Sequence, residues 1–137
     1  MRRLALIGLA LVMAVPALGE EGLRALRSRG DLIGWEAVGR VELVGKGYCT
    51  GALIATDLVL TAAHCVYDAQ GKPIPPERIR FQAGYVAGSS LAERGVDRVV
   101  AEEGFVPAPD GRIAMKMMRH DIALLRLDFP ISVSEAN

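Results

Sequence analysis

From Trp35 onward the apolar residues fall in short runs broken by glycine, proline or acidic positions. Val38-Gly39-Arg40-Val41-Glu42-Leu43-Val44 alternates with the period of a strand that buries one face. Gly45-Lys46-Gly47 reads as a turn, and Tyr48 to Ile54 as the returning strand. Thr56-Asp57 is a second turn, followed by a third strand from Leu58 to Thr61. Arg78 to Ala83, continued by Tyr85 to Ala87 after a break at Gly84, predicts a fourth strand. Arg98 to Glu102 predicts a fifth, and Ile122 to Leu127 the last. Ala62 to Tyr67 suits a single helical turn. Asp68 to Pro76 reads as a surface loop, Gly88-Ser89-Ser90 as a turn, and Phe105 to Arg112 as a loop. Strands this short and closely spaced predict an all-β protein, an antiparallel barrel rather than a parallel sheet covered by helices. Phe129-Pro130-Ile131 opens an extended tail, because proline cannot donate a ladder bond.

The start of the chain has a different texture. Met1-Arg2-Arg3 is followed by an uncharged apolar run from Leu4 to Val15, then Pro16 and the small residues of Ala17-Leu18-Gly19. This is the pattern of a cleaved export signal over residues 1–19. The run is shorter than the roughly 20 residues a spanning helix needs, so no membrane attachment is expected after cleavage. Residues 20–34 then form a mature leader. Its stretch Glu20 to Asp31, with arginines at 24, 27 and 29, reads as a short helix, a flexible leader or a propeptide, and carries no chemistry. The expected location is secreted or periplasmic.

Charge and composition narrow the function classes. The chain has 16 basic and 16 acidic residues; without Arg2 and Arg3 the balance becomes 14 against 16. No basic stripe points to nucleic acid. The 51% apolar content argues against disorder, and the length fits one modest core. Cys49 and Cys65 are the only cysteines. An oxidising compartment favours a disulfide between them, closing a loop worth about 3 kcal/mol on a chain-entropy estimate. The adjacent His64-Cys65 pair does not match zinc-ligand spacings, so neither a metal nor another cofactor is expected.

Two segments carry the chemistry. The first is Leu58-Val59-Leu60-Thr61-Ala62-Ala63-His64-Cys65, preceded by Cys49-Thr50-Gly51-Ala52-Leu53-Ile54; the second is His120-Asp121-Ile122-Ala123-Leu124-Leu125-Arg126-Leu127. Together they resemble the histidine and aspartate segments of trypsin/chymotrypsin-like serine peptidases. The resemblance covers about residues 35–128 and implies the first of that fold's two six-stranded barrels, with residues 129–137 starting the inter-barrel linker. It implies His64 as the catalytic base and Asp121 as the carboxylate that orients it. A serine hydroxyl is a weak nucleophile until an imidazole accepts its proton, and the carboxylate fixes the imidazole tautomer and stabilises the imidazolium. Small Ala62 and Ala63 leave room for the ring, and Gly51 suits close backbone approach.

The family's nucleophile lies in a Gly-Asp-Ser-Gly-Gly stretch downstream of the aspartate, and no such stretch occurs here. Ser89 and Ser90 precede Asp121, while Ser132 and Ser134 lie in the tail; none has the expected context. A catalytic partner is therefore expected outside this sequence, in a C-terminal barrel that also brings the specificity pocket. Ile33-Gly34 matches only faintly the Ile-Val-Gly-Gly start that many members expose on activation. His120 stands where the family often has asparagine and reads as a solvated neighbour. Asp57, Asp68 and Asp128 read as turn or cap residues. The leading expectation is an exported endopeptidase acting on proteins or peptides. Two others stay open: a non-catalytic exported barrel that binds peptides or a partner, and a hydrolase that recruits its serine from another chain.

Overall fold

The computed structural model describes residues 25–108 and 113–132. The expected signal, the first part of the leader, Ser134 and the end of the Phe105–Arg112 loop lie outside the described residues. Six antiparallel strands close into a barrel: β1 (Val38–Leu43), β2 (Gly47–Ala55), β3 (Leu58–Thr61), β4 (Ile79–Ala83), β5 (Ala92–Ala101) and β6 (Ala123–Leu127). Their order around the barrel is β1-β2-β3-β6-β5-β4, and β4 returns to β1.

The two-residue period of the strands fills the interior. Val41 and Leu43 of β1, Val59 of β3, Ile79 and Phe81 of β4, and Leu125 and Leu127 of β6 are all buried in one cluster. Thr61 is the buried polar residue of that core among those described, and its hydroxyl donates to the Thr50 carbonyl at 2.9 Å. The hydroxyl is thus satisfied inside the barrel, which removes the cost of burying it. Gly51 faces the same core. A Cβ there would lie 2.7 Å from Val59 Cγ1 and 2.8 Å from Val41 Cγ2, so it makes room chiefly for side chains rather than for backbone.

Gly39 matters at the seam that closes the barrel, where it pairs with Ala83. A Cβ on Gly39 would fall 2.2 Å from the Gln82 carbonyl oxygen and 2.9 Å from Phe81 Cε2. Backbone cannot yield there without separating β1 from β4. Gly39→Ala is therefore expected to cost at least about 1–3 kcal/mol, the usual scale for overpacking, read as a lower urea midpoint. An unchanged midpoint would show that the seam is looser than its geometry.

Two local expectations need correction, and one element has no counterpart in the sequence pattern. The fourth strand stops at Ala83; Tyr85 to Ala87 instead enters a tight turn with an isolated Val86–Ser89 bridge and Ala87 at φ 49. β5 starts at Ala92, well before the expected Arg98. Its outward face carries Glu93, which accepts from Arg80 at 3.2 Å and Gln82 at 2.8 Å, and its register shifts between Val96 and Arg98. Those charges and the shift hide the alternation. A 3-10 turn at Met115–His120 was also unexpected.

At the β5 irregularity, Asp97 accepts from Arg126 of β6, from Nε at 2.8 Å and 3.1 Å to its two oxygens and from Nη2 at 2.9 Å. The hydrogen bond from Arg126 holds the Asp97 carboxyl below its ordinary 3.8, against the opposing effect of burial. The unfolded chain then binds the proton more readily, so this contribution is present above pH 3.8 and is lost as pH falls through the lower folded value. The pair is exposed, so the effect is small. Asp97→Asn is expected to flatten the acid limb of a urea-midpoint-against-pH curve and leave the neutral limb nearly level. Parallel acid limbs for both proteins would remove the pair from the account.

Candidate active site

His64 sits in a 3-10 turn, Ala63–Val66, that follows β3 directly. Ala63, Cys65 and Val66 are buried, whereas the His64 side chain is 43% exposed. The turn thus anchors itself on three apolar residues and turns its one imidazole outward. Asp121 follows the 3-10 turn Met115–His120 and precedes β6, so pairing of β3 with β6 brings the two segments together. Thr61 faces Ala123 across that ladder.

The carboxylate of Asp121 is used twice by the same residue. Its Oδ2 lies 2.8 Å from His64 Nδ1, and its Oδ1 accepts from the His64 backbone N–H at 2.8 Å. A carboxylate only accepts, so Nδ1 must carry the proton in this pair, and in the neutral ring Nε2 is then the nitrogen with the free lone pair. The side chain of Asp121 is 13% exposed, which shields the bond from water on one side. The arrangement can accept a proton at Nε2 and stabilise the resulting charge through Asp121.

Two further restraints hold this turn. Cys65 is joined to Cys49 of β2, with Cα atoms 6.2 Å apart. Lys46, in the β1–β2 turn, donates to the carbonyls of His64 at 3.0 Å, Cys65 at 3.2 Å and Tyr67 at 2.5 Å. Burial pushes the Lys46 ammonium below its ordinary 10.5, and the charge of Asp68 offsets part of that. Sequence reading missed this lysine: between two glycines it looks like an ordinary turn residue.

Cys49, His64 and Cys65 offer three donor atoms within 4.8 Å of one another. The disulfide removes both sulfurs from the thiolate form that binds metal, so the oxidised chain offers only the imidazole. His120 is not simply solvated. Its Nδ1 pairs with Glu102 Oε2 at 2.8 Å, and its Nε2 accepts from Arg119 Nε at 2.9 Å. Ser89 Oγ accepts from Arg29 at 2.9 Å and lies in the Val86–Ser89 turn. Asp68 caps its own loop by accepting from the backbone of Gln70 and Lys72. Beside His64 lies a hollow of about 240 Å³ whose walls include Lys46, Tyr67, Phe105, Pro107 and Ile113. Among the described residues no helix is long and apolar enough to cross a membrane.

A family model described as Trypsin matches residues 31–136. Serine protease SP24D of Anopheles gambiae is 35% identical over 86 residues, covering 63% of this chain and 28% of that protein. Serine protease 7 of Drosophila melanogaster is 31% identical over 98 residues, 64% of this chain and 24% of its own length. Serine protease 56 of Homo sapiens is 28% identical over 117 residues, 77% of this chain and 17% of its own. The chain thus spans 17–28% of the length of these relatives. Among solved structures, the scabies mite inactivated protease paralogue S-D1 matches with a TM-score of 0.52 and 20% identity, over 73% of this chain and 37% of that one. That likeness speaks for the fold alone. With the closed barrel and the family match over most of its length, the chain belongs to the trypsin family.

Proposed function

We propose that this barrel is the base-bearing half of an exported serine endopeptidase. The observation that supports it best is the double engagement of Asp121, which fixes both the ring and the backbone of His64. In this reading a serine from outside residues 1–137 approaches Nε2. His64 takes the hydroxyl proton as the serine oxygen attacks the peptide carbonyl, and the imidazolium is stabilised by Asp121. The same proton passes to the leaving amine when the C–N bond breaks, leaving an acyl-enzyme that water hydrolyses by the same base. Residues 1–19 serve as signal, 20–34 as leader, 35–128 as barrel and 129–137 as the start of a linker to the second barrel.

The surface fits a barrel that has a neighbour. A groove of about 290 Å³ runs past Leu26, Leu32, Trp35, Arg40, Tyr48 and Tyr85, and adjoins Cys49 at the disulfide. Trp35 is 57% and Tyr48 69% exposed, which is costly for an apolar wall left open to water. The Arg40 guanidinium lies 4.3 Å from the Tyr48 ring centroid and 5.1 Å from that of Tyr85. The same groove is what a non-catalytic peptide-binding barrel would use, so this second reading shares the surface but not the role of His64.

The purified 137-residue chain is expected to turn over no member of a broad peptide-ester panel above a His64→Ala control. Losing a single oxyanion donor costs about 2.7–4 kcal/mol in such enzymes, and here no nucleophile is identified at all. Turnover that survives purification and vanishes in the control would place a nucleophile within the chain and overturn this part of the reading.

A further inference from the structure

The turn that carries His64 ends abruptly. At Tyr67 the backbone is already extended, with φ −119 and ψ 146. A four-residue 3-10 turn leaves its last carbonyls without donors from further along a helix. The Val66 carbonyl is met by the Ile74 N–H at 2.8 Å. The His64, Cys65 and Tyr67 carbonyls instead converge on one point, occupied by the Lys46 ammonium. An ammonium has three N–H donors, and here each finds a carbonyl. Its three hydrogen bonds all go to carbonyls and none to a carboxylate, so carbonyl dipoles coordinate the ammonium much as they would a small cation, with the nearby charge of Asp68 adding to the balance.

The location gives this cage its meaning. Asp121 holds the His64 ring and its N–H from the β6 side, and the disulfide holds Cys65 from β2. Lys46 takes the carbonyl side of the same turn from the β1–β2 hairpin. We propose that Lys46 is a positioning residue for His64, an internal cation in a three-carbonyl cage, and that the cage without its side chain takes a small monovalent cation. Its importance for catalysis rests on reading His64 as the base; the cage itself does not. A base displaced by about 1 Å loses on the order of a hundredfold in rate, so a tether on this turn acts on chemistry without touching substrate.

The test reads two probes by NMR on the 137-residue chain. Lys46 Nζ is expected to give a slowly exchanging ammonium signal. In Lys46→Ala, which removes the donors together with the stem and so empties the cage, exchange protection of the Cys65 N–H and the His64 Nδ1–H is expected to fall by about tenfold to a hundredfold. Potassium or ammonium restores most of it. Tetramethylammonium at the same ionic strength does not, which separates cage filling from screening. Asp121→Asn abolishes the His64 Nδ1–H signal, because the amide N–H then faces Nδ1, while leaving the Lys46 Nζ signal in place, so failure of the base reading and failure of the cage are seen separately. A wild-type Lys46 Nζ that exchanges like a free surface ammonium overturns the proposal, and decides it alone if Lys46→Ala does not fold. Wild-type protection in a folded Lys46→Ala, or a loss that neither potassium nor ammonium repairs, overturns it as well.

Discussion

Asp121→Asn, made in a polypeptide that joins this barrel to a serine-bearing barrel of the family, is expected to lower kcat by about 10⁴-fold, the figure measured on the family's type triad. The substitution keeps the shape and changes the proton. Asparagine can still accept from the His64 backbone N–H through its carbonyl oxygen, in the place of Oδ1. Its amide nitrogen then faces Nδ1 where Oδ2 stood. Two donors cannot share that contact, so the ring must move its proton to Nε2, where the serine needs an acceptor. KM is expected to change little, because no substrate contact is lost, and thermal unfolding should stay close to that of the parent. A fall in KM-normalised activity of only a fewfold, with the fold intact, would remove Asp121 from the mechanism.

Removal of both cysteines, as Cys49→Ala with Cys65→Ala, carries the largest expected effect on stability. Deleting a native disulfide from a small exported domain costs about 2–5 kcal/mol, and a loop of this size corresponds to about 3 kcal/mol in the chain-entropy picture. Cys65 is also 2% exposed and packed in the core, so the methyl groups left behind leave space unfilled. The effect should reach the site, because Cys65 is the residue after His64 and β2 is its anchor. Guanidinium unfolding of oxidised parent and double variant measures it. Coincident midpoints would mean that the turn is held without the bridge.

How much of this was legible in the sequence depends on where each element keeps its information. β1 and β3 follow their local alternation, β2 follows from the Gly45-Lys46-Gly47 turn that sends the chain back, and the His64 turn follows from Ala62 and Ala63 beside Cys65, so all of these could be read from their own residues. β5 could not. Its inward residues Ala92 and Val96 are separated by Glu93, Arg94 and Gly95, and its outward charges find their partners on β4 and β6. The Met115–His120 turn gives no local signal either, since none of its residues is buried. His120 looked solvated because Glu102, which pairs with it, comes eighteen residues earlier. Lys46 shows the limit most clearly. Nothing in Gly45-Lys46-Gly47 marks it, and its three carbonyl partners become neighbours only when the barrel brings the β1–β2 turn against the turn after β3.

The account turns on His64 serving a serine that lies outside residues 1–137. The most direct measurement is labelling with a fluorophosphonate, which reacts with activated serines, applied to the protein joined to or assembled with a serine-bearing barrel, followed by peptide mapping. The expected result is one labelled serine beyond these residues, with labelling abolished by His64→Ala. A label on Ser89, Ser90 or any other serine of this chain, or labelling that persists unchanged in His64→Ala, would contradict it.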